Sequence, residues 1–454
     1  MDTQIPNRIT IKNFIIIISL LCQPDLIHAN ALNPSTDLDS ESAVLSLEKA
    51  KQIALENNPS IDAALERIKQ ARESIVQAKA DYYPSVLAAT DWNYTEKTQK
   101  SSPTHDETQH SGNLSMTQTL FNGFYTKYAV LAKEKNQKAA AAGYENTKRI
   151  LSWSVSQAYL NTQLAAESIK IAQSDMWFNQ KQEEEAVAKK RAGTGSYSDV
   201  LNFKTKVNTA ASSLLSARQD FMEAKISLAA LLGFPDSKLP ADMQFEPLPQ
   251  RISDETPNDS DFSIEDILYS RPDLQETFLF IKEADANIKI AQASYFPTVS
   301  LSAAYGASAG DHFLDEDNMG ASAGINVSFN IFTGGARKSK VIQAQSKKRE
   351  LERTYAAEKI QAVSDISATV EKIRKLMQQL LLQEENTNLI KETRDLVEKE
   401  YRAGQSSLVR LNEAQNELVK AQGQLSSNKV SLMLAREELA YYIGKNYTEP
   451  SPER

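Results

Sequence analysis

The sequence holds a single cysteine, Cys22, among 454 residues. Neither a disulfide framework nor a cysteine-based metal site can be built from it. A basic excess is missing as well: the formal net charge is -8 and no strongly basic run occurs. That removes the electrostatic basis for a nucleic-acid partner. Beyond the amino-terminal segment no stretch approaches the ~20 apolar residues of a membrane-spanning helix, so any crossing by the mature chain falls to strands. Phosphate-binding glycine loops are absent too, because Gly444-Lys445-Asn446 has no glycine-rich run upstream. No close Ser/His/Asp arrangement or paired carboxylates stand out. Nothing therefore indicates an enzyme or an energy-coupling component, and no cofactor or metal is expected.

What is present begins with a targeting signal. Arg8 and Lys12 precede the apolar run FIIIISLLC (14–22), followed by Pro24 and the small triplet Ala29-Asn30-Ala31. This is the layout of a secretory signal peptide, with cleavage expected after Ala31. Two rivals are a lipoprotein signal with Cys22 as its lipidated first residue and a retained anchor. Leu21 argues against the first, since such sites favour a small residue there. At 41% apolar, the remaining chain can bury one or several sizeable cores.

That chain is written twice. NNPSI (57–61) and AKADYYPSV (78–86) return as SRPDL (270–274) and AQASYFPTV (291–299), with Pro59/Pro272 and Pro84/Pro297 each 213 residues apart. LFNGF (120–124) returns as IFTGG (331–335), and Gly123/Gly334, Gly193/Gly404 and Gly233/Gly444 are each 211 apart. The expected organisation is a signal peptide over 1–31, a first repeat over 32–233, a proline-rich linker over 234–262, a second repeat over 263–445 and a flexible tail over 446–454. The linker is expected to wrap the middle of the molecule.

Each copy has the same grammar. A helical segment (about 44–80 and 263–293) stops before Tyr-aromatic-Pro, because proline disfavours helix at the preceding residue. Ser263-x-x-Asp266 adds a capping-box signal. Period-two runs follow at 84–94, 113–121, 297–306 and 323–332, about the length a tilted membrane strand needs. The polar stretches 95–112 and 307–320 read as loops and hold His105, His110 and His312, whose spacing suggests no metal site. Long helices are expected over 125–190 and 336–402, with return helices over 197–232 and 408–443. Val363, Ile366, Val370, Ile373, Met377 and Leu380 form a heptad seam, and Leu411, Ala414, Leu418, Ala421 and Leu425 another, in the pattern of a coiled coil. Gly193 and Gly404 allow the sharp reversals, and Ser196-x-x-Asp199 reads as a capping box. Return helices are much shorter than outgoing ones, so the short first helices are expected to complete the return path by stacking end to end.

From about residue 44 to 445 this order of features resembles the TolC-type outer membrane factor family. The duplicated plan, RPDL at 271–274, the Tyr-aromatic-Pro strand starts, LFNGF/IFTGG and the glycine reversals carry the resemblance. It implies a mainly α protein with a small β part: a duplicated strand/long-helix hairpin protomer, in which a homotrimer closes a twelve-stranded outer-membrane β-barrel continued by a periplasmic α-helical barrel. It also implies a passive exit duct of a tripartite efflux or type I secretion system, with a periplasmic adaptor, an inner-membrane pump or ABC exporter, and outer-membrane lipid as partners. The alternative is a periplasmic coiled-coil scaffold without a pore. Four candidate strands are too few for a self-contained porin.

In that family the reversals are the tips of the tube, where the channel narrows and meets the adaptor. The tip, gate and adaptor-contact candidates here are Gly193, Ser196, Asp199, Tyr401, Gly404, Ser407, Arg410 and Glu413. The family's return helix often presents two acids one turn apart; here those positions hold Arg410 and Glu413. A cation in the first helical turn opposes the helix dipole. Compensation is expected from Glu413 at i+3 or from an acid of a neighbouring copy.

Overall fold

The computed structural model describes residues 44–97, 105–240, 243–252, 264–310 and 319–444. The signal-peptide and lipidation readings, the Ser263 cap, His312 and the tail 446–454 lie outside the described residues. In chain order the elements are β1 (Val44–Leu45), α1 (Leu47–Asn57), α2 (Pro59–Ala80), β2 (Ser85–Lys97), β3 (His105–Phe121), α3 (Tyr125–Arg191) and α4 (Tyr197–Leu231). Then come β4 (Gln244–Phe245), α5 (Ile264–Ser270), α6 (Pro272–Ala293), β5 (Thr298–Gly310), β6 (Met319–Ser328), α7 (Ala336–Arg402) and α8 (Leu408–Ile443).

The two first helical segments are each broken in two. Pro59 and Pro272 open α2 and α6, and the residues before them, Asn58 and Arg271, are extended, as proline requires of its predecessor. Those two residues then perform the same task in both copies. Asn58 accepts from Ser60 N–H at 2.9 Å and donates from Nδ2 to the Leu231 carbonyl at 2.8 Å. Arg271 donates from Nη1 to the Tyr442 carbonyl at 3.2 Å. Each short helix thereby stacks on the end of its return helix, as expected, and last-turn carbonyls that have no intrahelical partner are satisfied.

The second joint is the more elaborate. Arg271 is 7% exposed and grips Asp273 through Nε and Nη2 at 3.1 and 2.6 Å. Arg149 of α3 reaches the same carboxylate at 3.1 Å and the Tyr441 carbonyl at 3.0 Å, its guanidinium 4.4 Å from the Tyr441 ring centre. Burial alone would raise the Asp273 carboxyl, but the Arg271 hydrogen bond and both guanidinium charges hold it below its usual value.

The largest core lies at the same level. Val155, Tyr159 and Leu160 of α3 pack with Ile53 and Ala54 of α1 and Leu228 of α4. Tyr159 donates its hydroxyl to the Leu45 carbonyl at 2.7 Å, and burial with the nearby Glu246 charge pushes the phenol up to about 12. Linker residues close this region: β4 pairs in parallel with β1, and Lys429 donates to the Gln250 carbonyl at 2.7 Å. On α7, Ile366, Val370, Ile373 and Leu380 of the heptad seam are buried with Leu432, Ala435 and Leu439 of α8.

The expected fold class needs one correction. The chain is mainly α with a small β part, but the described strands form one open antiparallel sheet in the order β2-β3-β5-β6. No closed barrel, of strands or of helices, is found among the described residues. Four strands are half the number a small barrel needs, so β2 and β6 remain edges. No described helix is long and apolar enough to cross a membrane.

Strand limits also differ from expectation. His105 and His110 lie in β3, because the ladder continues through polar residues to Lys97↔His105. His110 stacks on Trp92 across it. Conversely β6 stops at Ser328, where its partner β5 begins at Thr298. Phe329 and Ile331 therefore fall in the connection to α7, whose Arg337 binds the Ile331 carbonyl at 3.0 Å. A register shift between Thr119 and Phe121 interrupts the period-two alternation expected over 113–121.

Candidate functional site at the helix reversals

Each long helix stops by the same backbone device. Gly193 (φ +76°) and Gly404 (φ +74°) adopt the left-handed conformation open to glycine. Gly193 N–H bonds the Lys190 carbonyl and Thr194 N–H the Lys189 carbonyl, at 3.1 and 3.0 Å. In the second copy Gly404 bonds Tyr401 and Gln405 bonds Glu400, at 3.1 and 2.8 Å. These paired bonds are the Schellman termination. The return helices restart on serine caps. Ser196 Oγ accepts from Ser198 N–H at 3.1 Å, one residue earlier than the Asp199 amide of a standard capping box. Ser407 Oγ accepts from Arg410 N–H at 3.3 Å.

Above the reversals the two hairpins are joined by an apolar plug. Phe178 and Ala186 of α3, Val200 and Phe203 of α4, Val397 of α7 and Leu411 of α8 form a buried cluster, with Phe203 and Leu411 at 0% exposure. Tyr401 packs its ring edge-on to Phe203 at 6.3 Å and lies under Lys189 Nζ at 4.8 Å. Burial, then the Asp199 and Glu185 carboxylates, raise the Tyr401 phenol above its ordinary value. The phenol therefore stays neutral at physiological pH.

Polar links cross between hairpins around this plug. Arg402 pairs with Glu185 of α3 at 2.9 Å and with Glu398 of its own helix at 2.7 Å. Gln182 Nε2 donates to Glu398 Oε1 at 3.3 Å, Gln415 Nε2 to Asp175 Oδ1 at 2.8 Å, and Asn412 Nδ2 to Asn202 Oδ1 at 3.0 Å. Exposed ion pairs such as Arg402–Glu185 contribute little singly, on the order of 0–1 kcal/mol. The buried glutamine links count for more, because separating the hairpins strands polar groups in an apolar plug.

Thus Tyr401 and the half-buried Asp199 come together at the plug, while Gly193, Ser196, Gly404 and Ser407 shape the exposed reversals. Arg410 and Glu413 are both exposed, and among the described residues Arg410 makes no ion pair, so the i+3 compensation is not realised. Sequence reasoning missed Gln182, Glu185, Phe203, Glu398 and Arg402. Only Arg402, a cation in the last turn of α7, carried a recognisable local signal.

The family model for outer membrane efflux proteins matches residues 50–234 and 263–445. Similar proteins include the pyoverdine export outer membrane protein OpmQ of Pseudomonas putida, 22% identical over 422 residues, which span 90% of this chain and 87% of that protein. The outer membrane efflux protein BepC of Brucella suis is 24% identical over 430 residues, 93% of this chain and 90% of that one. Among solved structures, the open-state MtrE outer membrane channel of Neisseria gonorrhoeae superposes with a TM-score of 0.73 at 21% identity, covering 95% of this chain and 98% of that one. The channel protein CusC superposes with a TM-score of 0.75 at 18% identity, covering 88% and 92%.

Proposed function

The chain belongs to the outer membrane efflux protein family, and on that footing we propose that it is the exit duct of a tripartite efflux or type I secretion system, working as a homotrimer. Membership sets it in the outer membrane with a long periplasmic helical extension, in the general role of a channel, and without catalysis. The finer reading adds a periplasmic adaptor at the reversals, an inner-membrane pump or ABC exporter behind it, and passive conduction to the exterior.

The observation that carries this reading is the pair of reversals at the ends of two 67-residue helices. At 1.5 Å per residue each helix reaches about 100 Å, which suits a duct that must meet partners far from the outer membrane. The sheet supplies the part seated in that membrane; its strands of 10 to 17 residues meet the ~10 residues a tilted crossing requires. Association with further copies is supported by exposed apolar residues at multiples of seven, Leu201, Leu215 and Met222 on α4 and Leu382, Leu389 and Leu396 on α7. Such seams without a partner suit a neighbouring helix, and the number three comes from the family resemblance. At the tip, Gly193, Ser196, Gly404 and Ser407 form the adaptor-facing surface. Tyr401 with Asp199 holds the closed arrangement, and Arg410 near Glu413 meets an acid of a neighbouring copy. Cargo choice rests with pump and adaptor, since a duct passing varied cargo needs no deep specific pocket.

The test is a photo-crosslinking residue at Ser407 in intact cells, with captured proteins identified by mass spectrometry. Capture of an adaptor together with its pump is expected. Capture of no adaptor and no neighbouring copy at normal expression would overturn the tip assignment in favour of a periplasmic scaffold. Arg410→Ala is expected to alter conductance or gating in planar bilayers; unchanged traces would remove Arg410 from the tip network.

A further inference from the structure

Four helix ends meet the sheet at one level. α2 and α6 finish there, at Ala80 and Ala293, and α3 and α7 start there, at Tyr125 and Ala336. Side chains tie the ends together. The Phe121 and Phe124 rings of the first copy stand edge-on to Phe296 of the second, each at 6.4 Å. Arg337 donates to the Ser294 carbonyl at 3.4 Å and lies 5.2 Å from the Tyr295 ring centre. Around this junction large aromatic side chains are exposed: Tyr83 is 71% exposed and Phe332 87%. Large exposed aromatics at the end of membrane strands are what the boundary between hydrocarbon and headgroups selects.

Immediately beyond them the charge changes sign. Within the two helix turns nearest the sheet, about 11 Å, lie six cations: Lys79, Lys127, Lys289, Arg337, Lys338 and Lys340. Two carboxylates, Glu73 and Asp81, oppose them. The zone therefore carries a net charge of +4 in a chain whose total is -8. Lys127, Lys338 and Lys340 are exposed, and among the described residues none of them forms an ion pair. Neither α3 nor α7 has an acid in its first turn, a trait shared with α8 at the reversal, whereas α1, α2, α4 and α6 each have one. The second copy supplies four of the six cations, Lys289, Arg337, Lys338 and Lys340, and with them the whole of the excess. Half of the cations stand together in the stretch RKSK (337–340), and the other three arrive from three separate helix ends.

We propose that this collar is a docking surface for the anionic phospholipid headgroups of the periplasmic leaflet, with the aromatic girdle seated just inside it. The proposal rests on the reading that the sheet lies in the membrane. Charge complementarity selects the occupant: the cations stand where phosphates lie once the girdle reaches the interface, and each basic side chain near an anionic surface adds attraction that salt screens. A zwitterionic headgroup offers little of that attraction.

The test uses the purified full-length protein in detergent, diluted into vesicles of phosphatidylcholine alone or of phosphatidylcholine with phosphatidylglycerol, and scored by flotation. Preference for the anionic vesicles by at least about tenfold is expected, from roughly 1 kcal/mol per basic side chain, falling towards unity in high salt. The variant K127Q/K338Q/K340Q is expected to lose most of it while still floating. Equal flotation of the native protein with both vesicle types, insensitive to salt, would overturn the collar and leave the membrane reading intact. No flotation with either would remove the membrane reading and the collar with it. The native salt series decides the matter even if the triple variant fails to fold.

Discussion

Replacing Arg271 with alanine isolates the joint between α6 and α8. The substitution removes a nearly buried guanidinium that donates twice to Asp273 and once to the Tyr442 carbonyl. Losing one partner of a buried pair costs about 3–5 kcal/mol. Here Asp273 is 31% exposed and keeps Arg149 at 3.1 Å, so the expected cost falls to about 2–4 kcal/mol. At ~1.4 kcal/mol per factor of ten, that is a roughly 30- to 700-fold larger opening equilibrium constant. Hydrogen exchange in detergent, read on peptides from the last turns of α8, measures it directly. Asn58→Ala is the internal comparison, because it removes the equivalent cap from the first copy with a neutral side chain; about 1 kcal/mol is expected. The Asp273 carboxyl, held below its ordinary value, contributes stability that is present above the usual carboxylate range and lost as pH falls below it. Accordingly the two joints should differ most at neutral pH and converge in acid. A loss of protection under fivefold for Arg271→Ala, or one no larger than for Asn58→Ala, would refute the reasoning.

Three further outcomes follow from buried and half-buried groups elsewhere. Burial raises the Glu276 carboxyl, Asp273 and Glu358 add to this, and Arg67 offsets part. Such a carboxyl binds its proton more tightly in the folded state, so it destabilises above its folded pKa and gains stability as pH falls through it. Glu276→Gln should therefore melt higher than the native protein at about pH 8, with the advantage shrinking towards about pH 5; a lower melting temperature at the higher pH would contradict it. Phe203→Ala empties the centre of the tip plug, at a cost of about 3–5 kcal/mol, and should raise protease cleavage at the reversals while α1–α2 peptides stay protected. Tyr159, pushed up to about 12, should remain neutral in an ultraviolet titration while exposed tyrosines ionise; a Tyr159→Phe difference spectrum showing ionisation near the ordinary tyrosine value of about 10 would exclude its buried bond to Leu45.

The helical plan could be read from the chain because its punctuation is local. Pro59 and Pro272 act on the residue before them, Gly193 and Gly404 supply a left-handed turn, and the heptad seam of α7 repeats within one helix. Limits that depend on a distant partner could not be read in the same way. β6 stops at Ser328 only because β5 starts at Thr298, and His105 joins a strand only because Lys97 is opposite. The same holds at the candidate site. The cap Ser196 announces itself within four residues, whereas Gln182–Glu398 and Arg402–Glu185 join residues more than 200 positions apart with no repeating pattern. The expected closed barrel failed for a related reason: closure is a property of neighbouring edges, and one chain contributes four strands.

Duplication also explains why the two reversals are alike in backbone and unlike in charge. Ser196 and Ser407 stand 211 residues apart and both cap, and the residues three positions beyond them are Asp199 and Arg410. Asp199 suits the first turn of a helix, and its charge reaches the Tyr401 phenol. Arg410 opposes the dipole of its own helix and has no ion pair within the described protomer. A position that costs stability in the isolated chain, set among shared devices that do not, is where offset from outside the protomer is to be sought. A carboxylate of a neighbouring copy would supply it, with Asp199, its counterpart in the first repeat, as the first residue to exchange. Swapping the two, Asp199→Arg with Arg410→Asp, should restore conductance that either change alone disturbs if they share one network. Failure of the double exchange to restore it would mean that Arg410 answers to a different acid.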